Sequence, residues 1–98
     1  MNTPQSIRKS QIEKLHFVQT EVLTNENMIQ ARWKKIVHAI QLSTLFNEQV
    51  RIIFKTEEGI QSVMTRIREI TKQGILLTGG IIIPICCIQE IERNGASL

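Results

Sequence analysis

Ninety-eight residues with a formal charge of +3 fit a single domain, and 42% hydrophobic against 21% charged residues supplies enough apolar surface for a folded core. Those figures exclude a multidomain enzyme, a fibrous repeat and a polytopic membrane protein, and two cysteines are too few for a disulfide scaffold. Residues 1–48 hold six basic and four acidic side chains and residues 49–98 hold six and five, so the positive excess forms no clustered stripe of the kind that marks nucleic-acid binding.

The chain opens on Met1-Asn2-Thr3-Pro4-Gln5-Ser6 without an apolar segment, so no secretory signal is expected. A first helix is expected from Pro4 with Thr3 as N-cap, because proline's missing N–H costs nothing in a first turn. Ile12, Leu15, Val18, Val22 and Leu23 follow at three- and four-residue steps as one apolar stripe. Thr24-Asn25-Glu26-Asn27 offers capping side chains and a break. A second helix then carries Ile29, Trp33, Ile36, Val37 and Ile40 toward a core, with Arg32, Lys35 and His38 turned away. Leu45 and Phe46 close it against the sheet. One uninterrupted helix stays open as the alternative, since no Gly or Pro enforces the break.

Composition changes near residue 48: twelve of the seventeen isoleucines and all five glycines lie beyond it, which favours sheet. From Gln49 the apolar period falls to two, with Val50, Ile52 and Phe54 opposing Arg51, Ile53 and Lys55. Thr56-Glu57-Glu58-Gly59 reverses the chain, and Gly59 supplies the positive φ of a tight hairpin. A single second strand is expected from about Ile60 to Ile70, then turns at Gln73-Gly74 and Gly79-Gly80 around Ile75-Leu76-Leu77 and Ile81-Ile82-Ile83. Pro84 ends a strand, the three-residue spacing of Ile85, Ile88 and Ile91 suits a short 3₁₀ turn, and a last strand falls near Gln89–Arg93. Asn94–Leu98 reads as a loose tail. The expected fold is therefore α+β in one domain, residues 1–98. An N-terminal helical segment (1–47) of two helices precedes a small five-stranded antiparallel SH3/Sm-like β-barrel (48–93). Closure would remove the edges of so small a sheet.

Val50-Arg51-Ile52-Ile53-Phe54-Lys55-Thr56-Glu57-Glu58-Gly59 and Gly79-Gly80-Ile81-Ile82-Ile83-Pro84-Ile85-Cys86-Cys87-Ile88-Gln89-Glu90-Ile91 carry a resemblance. They resemble the core of small bacterial SH3/Sm-like barrel proteins with the signature V-x-x-x-F-x-T-x-E-G, then G-G-x-x-I-P-I-x-x-I-x-x-I. The outline, a helical lead-in before such a barrel, is also similar to YolD-like proteins. The resemblance covers residues 49–92 and implies a barrel fold. Its motif is one of packing and turns, so it implies no catalytic residue.

No catalytic constellation, metal site or cofactor is expected. His16 and His38 read as solvated or half-buried helical histidines, and Glu57-Glu58 as a solvated hairpin pair. Cys86 and Cys87, with apolar neighbours, read as reduced core thiols, which places the chain in a cytosol. No apolar run approaches the roughly 20 residues that cross a bilayer, so no membrane partner is expected. Trp33 reads as core. Arg51 and Lys55, with Arg66 and Arg68, are expected to stand together on an outer sheet face as the surface for an acidic partner, with Glu69 and Glu90 as cross-strand partners. The expected role is an interaction or assembly module acting as a homo-oligomer or on a protein partner. The alternative is a small nucleic-acid-binding regulator that uses the basic sheet face, which lacks stacking rings.

Overall fold

The strongest alternation in the chain forms its central hairpin. In the computed structural model, which describes residues 3–98, β1 (Gln5–Ser6) and a single turn α1 (Lys9–Ile12) precede the long helix α2 (Glu26–Phe46). Met1 and Asn2, at the head of the expected helical segment, lie outside the described residues. β2 (Val50–Thr56) and β3 (Gly59–Thr65) then pair antiparallel from Val50↔Thr65 to Thr56↔Gly59. They are followed by β4 (Ile67–Ile70), β5 (Ile75–Leu77), β6 (Ile82–Ile83), a 3₁₀ turn at Ile85–Cys87, β7 (Ile88–Arg93) and β8 (Ala96–Ser97).

The expected closed barrel does not form. The strands make two separate sheets, a mixed five-stranded one in the order β1-β3-β2-β7-β8 and an antiparallel three-stranded one in the order β4-β5-β6. The single strand expected over Ile60–Ile70 bends at Arg66 and passes from one sheet to the other. Closure fails at β6, which is two residues long and stops at Pro84. Proline has no N–H to extend a ladder, and the 3₁₀ turn carries the chain away before β7 begins. The resulting space is filled by one α2 face and by Ile12. The tail read as loose instead forms β8, paired with β7 through Glu92↔Ser97 and Arg93↔Ala96.

Two helices were expected and one long helix forms. Beyond α1 the stripe Leu15, Val18, Val22 is not helical. Val18, Thr20, Val22 and Thr24 are β-branched, which lowers helix propensity, and the same residues alternate as a strand would. Tertiary hydrogen bonds decide the matter: Val18 N–H donates to the Lys55 carbonyl at 3.2 Å and Val22 N–H to the Cys86 carbonyl at 3.0 Å. The arm from residue 13 to 25 thus lies along the sheets. The capping signal before α2 holds, since Asn25 is its N-cap and accepts from Met28 N–H at 2.9 Å. Asn47 ends it in the left-handed region at φ 55°.

One apolar core joins Ile36, Ala39 and Leu42 of α2 to Val50, Ile52, Phe54, Val63, Ile88 and Ile91 of the larger sheet and Ile67, Ile75, Leu77 and Ile83 of the smaller. Phe54 points inward, and Phe17 of the arm covers it with ring centroids 6.0 Å apart. No helix among the described residues is long and apolar enough to cross a membrane.

Candidate functional site: the open face of α2 and a basic hollow

The helix is rotated from the orientation its apolar stripe suggests. It buries Arg32, Ile36, Ala39, Leu42 and Ser43 and leaves Trp33 49% exposed and Val37 exposed, which corrects the reading of Trp33 as core and of Arg32 as turned away. Two sets of tertiary contacts account for this. Ala39 and Ser43 are small enough for close approach, and Ser43 Oγ accepts from Ile67 N–H at 3.2 Å while donating to the Glu48 carbonyl at 3.0 Å. Arg32 is 5% exposed because its guanidinium grips both oxygens of Glu21, with Nη1–Oε2 at 2.6 Å, and donates to the Ile88 carbonyl at 3.1 Å. Arg32 Nε is buried without a partner among the described residues. Leu45 and Phe46, expected to close on the sheet, extend past it at 71% and 67% exposure.

Ile29, Gln30, Trp33, Lys34 and Ile85 consequently line an open groove of about 400 Å³. Along α2 the exposed edge runs Gln30, Trp33, Val37, a step of three and then of four, while Ile40 beyond it is half-buried against the core. That is the spacing with which one helix meets another. The signal was present in the sequence but overlapped the true core face by less than one helical turn, so pattern alone could not separate them.

The four cations of the expected basic face are split. Arg51 and Lys55 do occupy the outer face of β2, opposite Met64 and Ile60. Arg51 is drawn into the sheet by Ser62 Oγ at 3.1 Å and by Glu92 at 3.9 Å. Glu90 pairs instead with Lys35 of α2 at 2.6 Å, and Glu69 makes no ion pair among the described residues. Arg66 sits at the bend between β3 and β4, with Nε donating to the Asn47 carbonyl at 2.9 Å. Arg66 and Arg68 come together on a hollow of about 230 Å³ whose wall also includes Ser43, Thr44, Asn47 and Thr78, and neither Arg51 nor Lys55 lines it. Sequence reasoning found two of its residues and missed the others, which come from α2 and its C-cap, from β4 and from the β5–β6 turn.

His16, read as helical, is on the arm. Its backbone N–H donates to Glu58 Oε1 at 2.9 Å, its Nδ1 lies 2.7 Å from Glu58 Oε2, and its carbonyl accepts from Glu57 N–H at 2.8 Å. His16, Glu57 and Glu58 bring ligand-type atoms within 4.8 Å of one another, all on exposed side chains. The hydrogen bonds of this cluster latch the arm to the β2–β3 hairpin. Hydrogen bonding to Glu58 raises the His16 pKa, and the His16 backbone N–H lowers that of Glu58. With the folded value of His16 above its unfolded one, its contribution is full below the ordinary 6.5 and is lost as pH rises through the folded value. Glu58's contribution is present above its ordinary 4.5 and is lost as pH falls through the folded value. The latch is therefore strongest between those two ordinary values. A proton-NMR titration of His16 is expected to give a midpoint above the ordinary 6.5, and Glu58→Gln to lower it; an unchanged midpoint would remove the latch.

Burial pushes the Cys87 thiol up to about 12, so it is no nucleophile at neutral pH. No family model, curated protein or solved structure matches this chain.

Proposed function

We infer that this chain is a non-catalytic assembly module that associates with a second copy of itself through the open face of α2. The observation that carries the reading is Trp33, the only tryptophan, standing half out of the fold beside Val37, Ile29 and Ile85. Large aromatic side chains left in a groove are the usual anchors of protein interfaces. The three-four spacing of Gln30, Trp33 and Val37 supports a helix as the opposing surface, and α2 itself is such a helix. A chain this short also buries a smaller share of its surface than a longer one, so a shared core adds proportionally more.

Sedimentation equilibrium over a concentration series tests this directly. The expected result is a mass above 11.3 kDa at high concentration, with the Trp33 emission shifting to the blue as the mass rises. Trp33→Ala is expected to weaken association by about tenfold or more, the ordinary cost of removing an interface anchor. Circular dichroism should be unchanged, because Trp33 is outside the core. A strict monomer at every concentration overturns the reading.

A further inference from the structure

We propose that the hollow between the end of α2, the β3–β4 bend and the β5–β6 turn binds a phosphate monoester through Arg66 and Arg68. At about 230 Å³ it is smaller than the roughly 300–1,000 Å³ of pockets that take drug-sized ligands, and it suits a single phosphoryl group. No carboxylate lines it. Arg66 and Arg68 both line it, and neither makes an ion pair among the described residues. Planar guanidinium forks match the oxygens of a phosphate and hold it by charge-assisted hydrogen bonds.

The wall is fixed by contacts already made within the fold. Arg66 spends only Nε–H on the Asn47 carbonyl, which offsets the negative end of α2 and orients the rest of the guanidinium. Thr78 N–H donates to the Arg66 carbonyl at 3.1 Å. Lys9 Nζ donates to the Thr78 carbonyl at 2.9 Å and to its Oγ1 at 2.8 Å, which fixes the β5–β6 turn and sets a third positive charge beside Thr78. Thr44 and Thr78 supply hydroxyl-bearing side chains to the same wall. Three segments distant in sequence thus present cations and hydroxyls to one small volume. This site is separate from the α2 groove, and it does not depend on self-association.

The test is an amide chemical-shift titration with inorganic phosphate and with phenyl phosphate. The expected result is saturable shifts centred on residues 44, 66–68 and 78. Arg68→Gln is expected to weaken binding by about tenfold, since hydrogen bonds to charged groups are the stronger class. Arg68 is the residue to change because its side chain makes no hydrogen bond among the described residues that the fold would lose. Lys55→Gln, on the outer face of β2, should leave binding unchanged. Shifts that fail to saturate and spread over every cation overturn the proposal, as does equal loss in Arg68→Gln and Lys55→Gln. Binding of a single-stranded oligonucleotide without binding of phenyl phosphate also overturns it.

Discussion

Gly74→Ala is expected to lower stability by roughly 3 kcal/mol or more, the combined scale of a strained backbone and an overpacked contact. Gly74 has φ +150°, and a Cβ there would lie 2.1 Å from the Ile83 carbonyl oxygen and 2.7 Å from its carbon. Both are backbone atoms of β6, so no rotamer change relieves the clash. The turn cannot move away easily, because Thr71 N–H donates to the Gly74 carbonyl at 2.7 Å and Thr71 Oγ1 accepts from Gly74 N–H at 3.2 Å. Giving way would part β5 from β6, the shorter ladder of the smaller sheet. Gly59→Ala is the control: its φ is also positive, at +126°, but an added Cβ meets nothing within 4 Å. Urea denaturation should rank Gly74→Ala well below Gly59→Ala, and equal losses would show that conformation rather than close approach makes Gly74 necessary.

Glu21→Gln is expected to cost roughly 1–3 kcal/mol, less than a fully buried ion pair because Glu21 is 33% exposed. Its partner cannot follow it into water. Arg32 is held under the arm, with one donor on the Ile88 carbonyl and Nε already unpartnered, so losing the carboxylate strands a buried charge. Arg32→Met should cost less, since it leaves Glu21 free to hydrate and removes the orphaned donor. The two substitutions together should then be less than additive in a double-mutant cycle. Hydrogen bonding to Arg32 lowers the Glu21 pKa, so this stabilisation is present above the ordinary 4.5 and fades as pH falls through the folded value. Glu21→Gln should flatten that acid limb of the stability curve. Equal losses for Glu21→Gln and Arg32→Met would sink the asymmetry.

Much of the local structure was legible from residue patterns. The alternation Val50, Ile52, Phe54, the reversal at Gly59, the stop at Pro84, the 3₁₀ turn and the final strand all arise from short-range rules. Each needs only two or three neighbouring residues to act, and nothing distant opposes them. The capping signal at Asn25 belongs to the same group. Arg66 and Arg68 were also visible as a pair two residues apart on one strand face, which is why the two arginines of the basic hollow could be named in advance.

What pattern left undecided were choices between two competent local answers. Residues 13–25 carry a helical stripe and a strand-like alternation at once, and hydrogen bonds to Lys55, Glu57 and Cys86, far along the chain, selected the extended form. α2 offers two adjacent faces, and the pull of Glu21 on Arg32 together with the small Ala39 and Ser43 chose the less apolar one, leaving Trp33 outside. Whether the strands closed on themselves depended on β6 ending after two residues and on the bend at Arg66, which moved that arginine away from Arg51 and Lys55. Residue order thus determined the elements and their turns, because those energies are local. Tertiary structure alone decided which side of each element faced inward, because that balance is struck between groups on different elements of the fold.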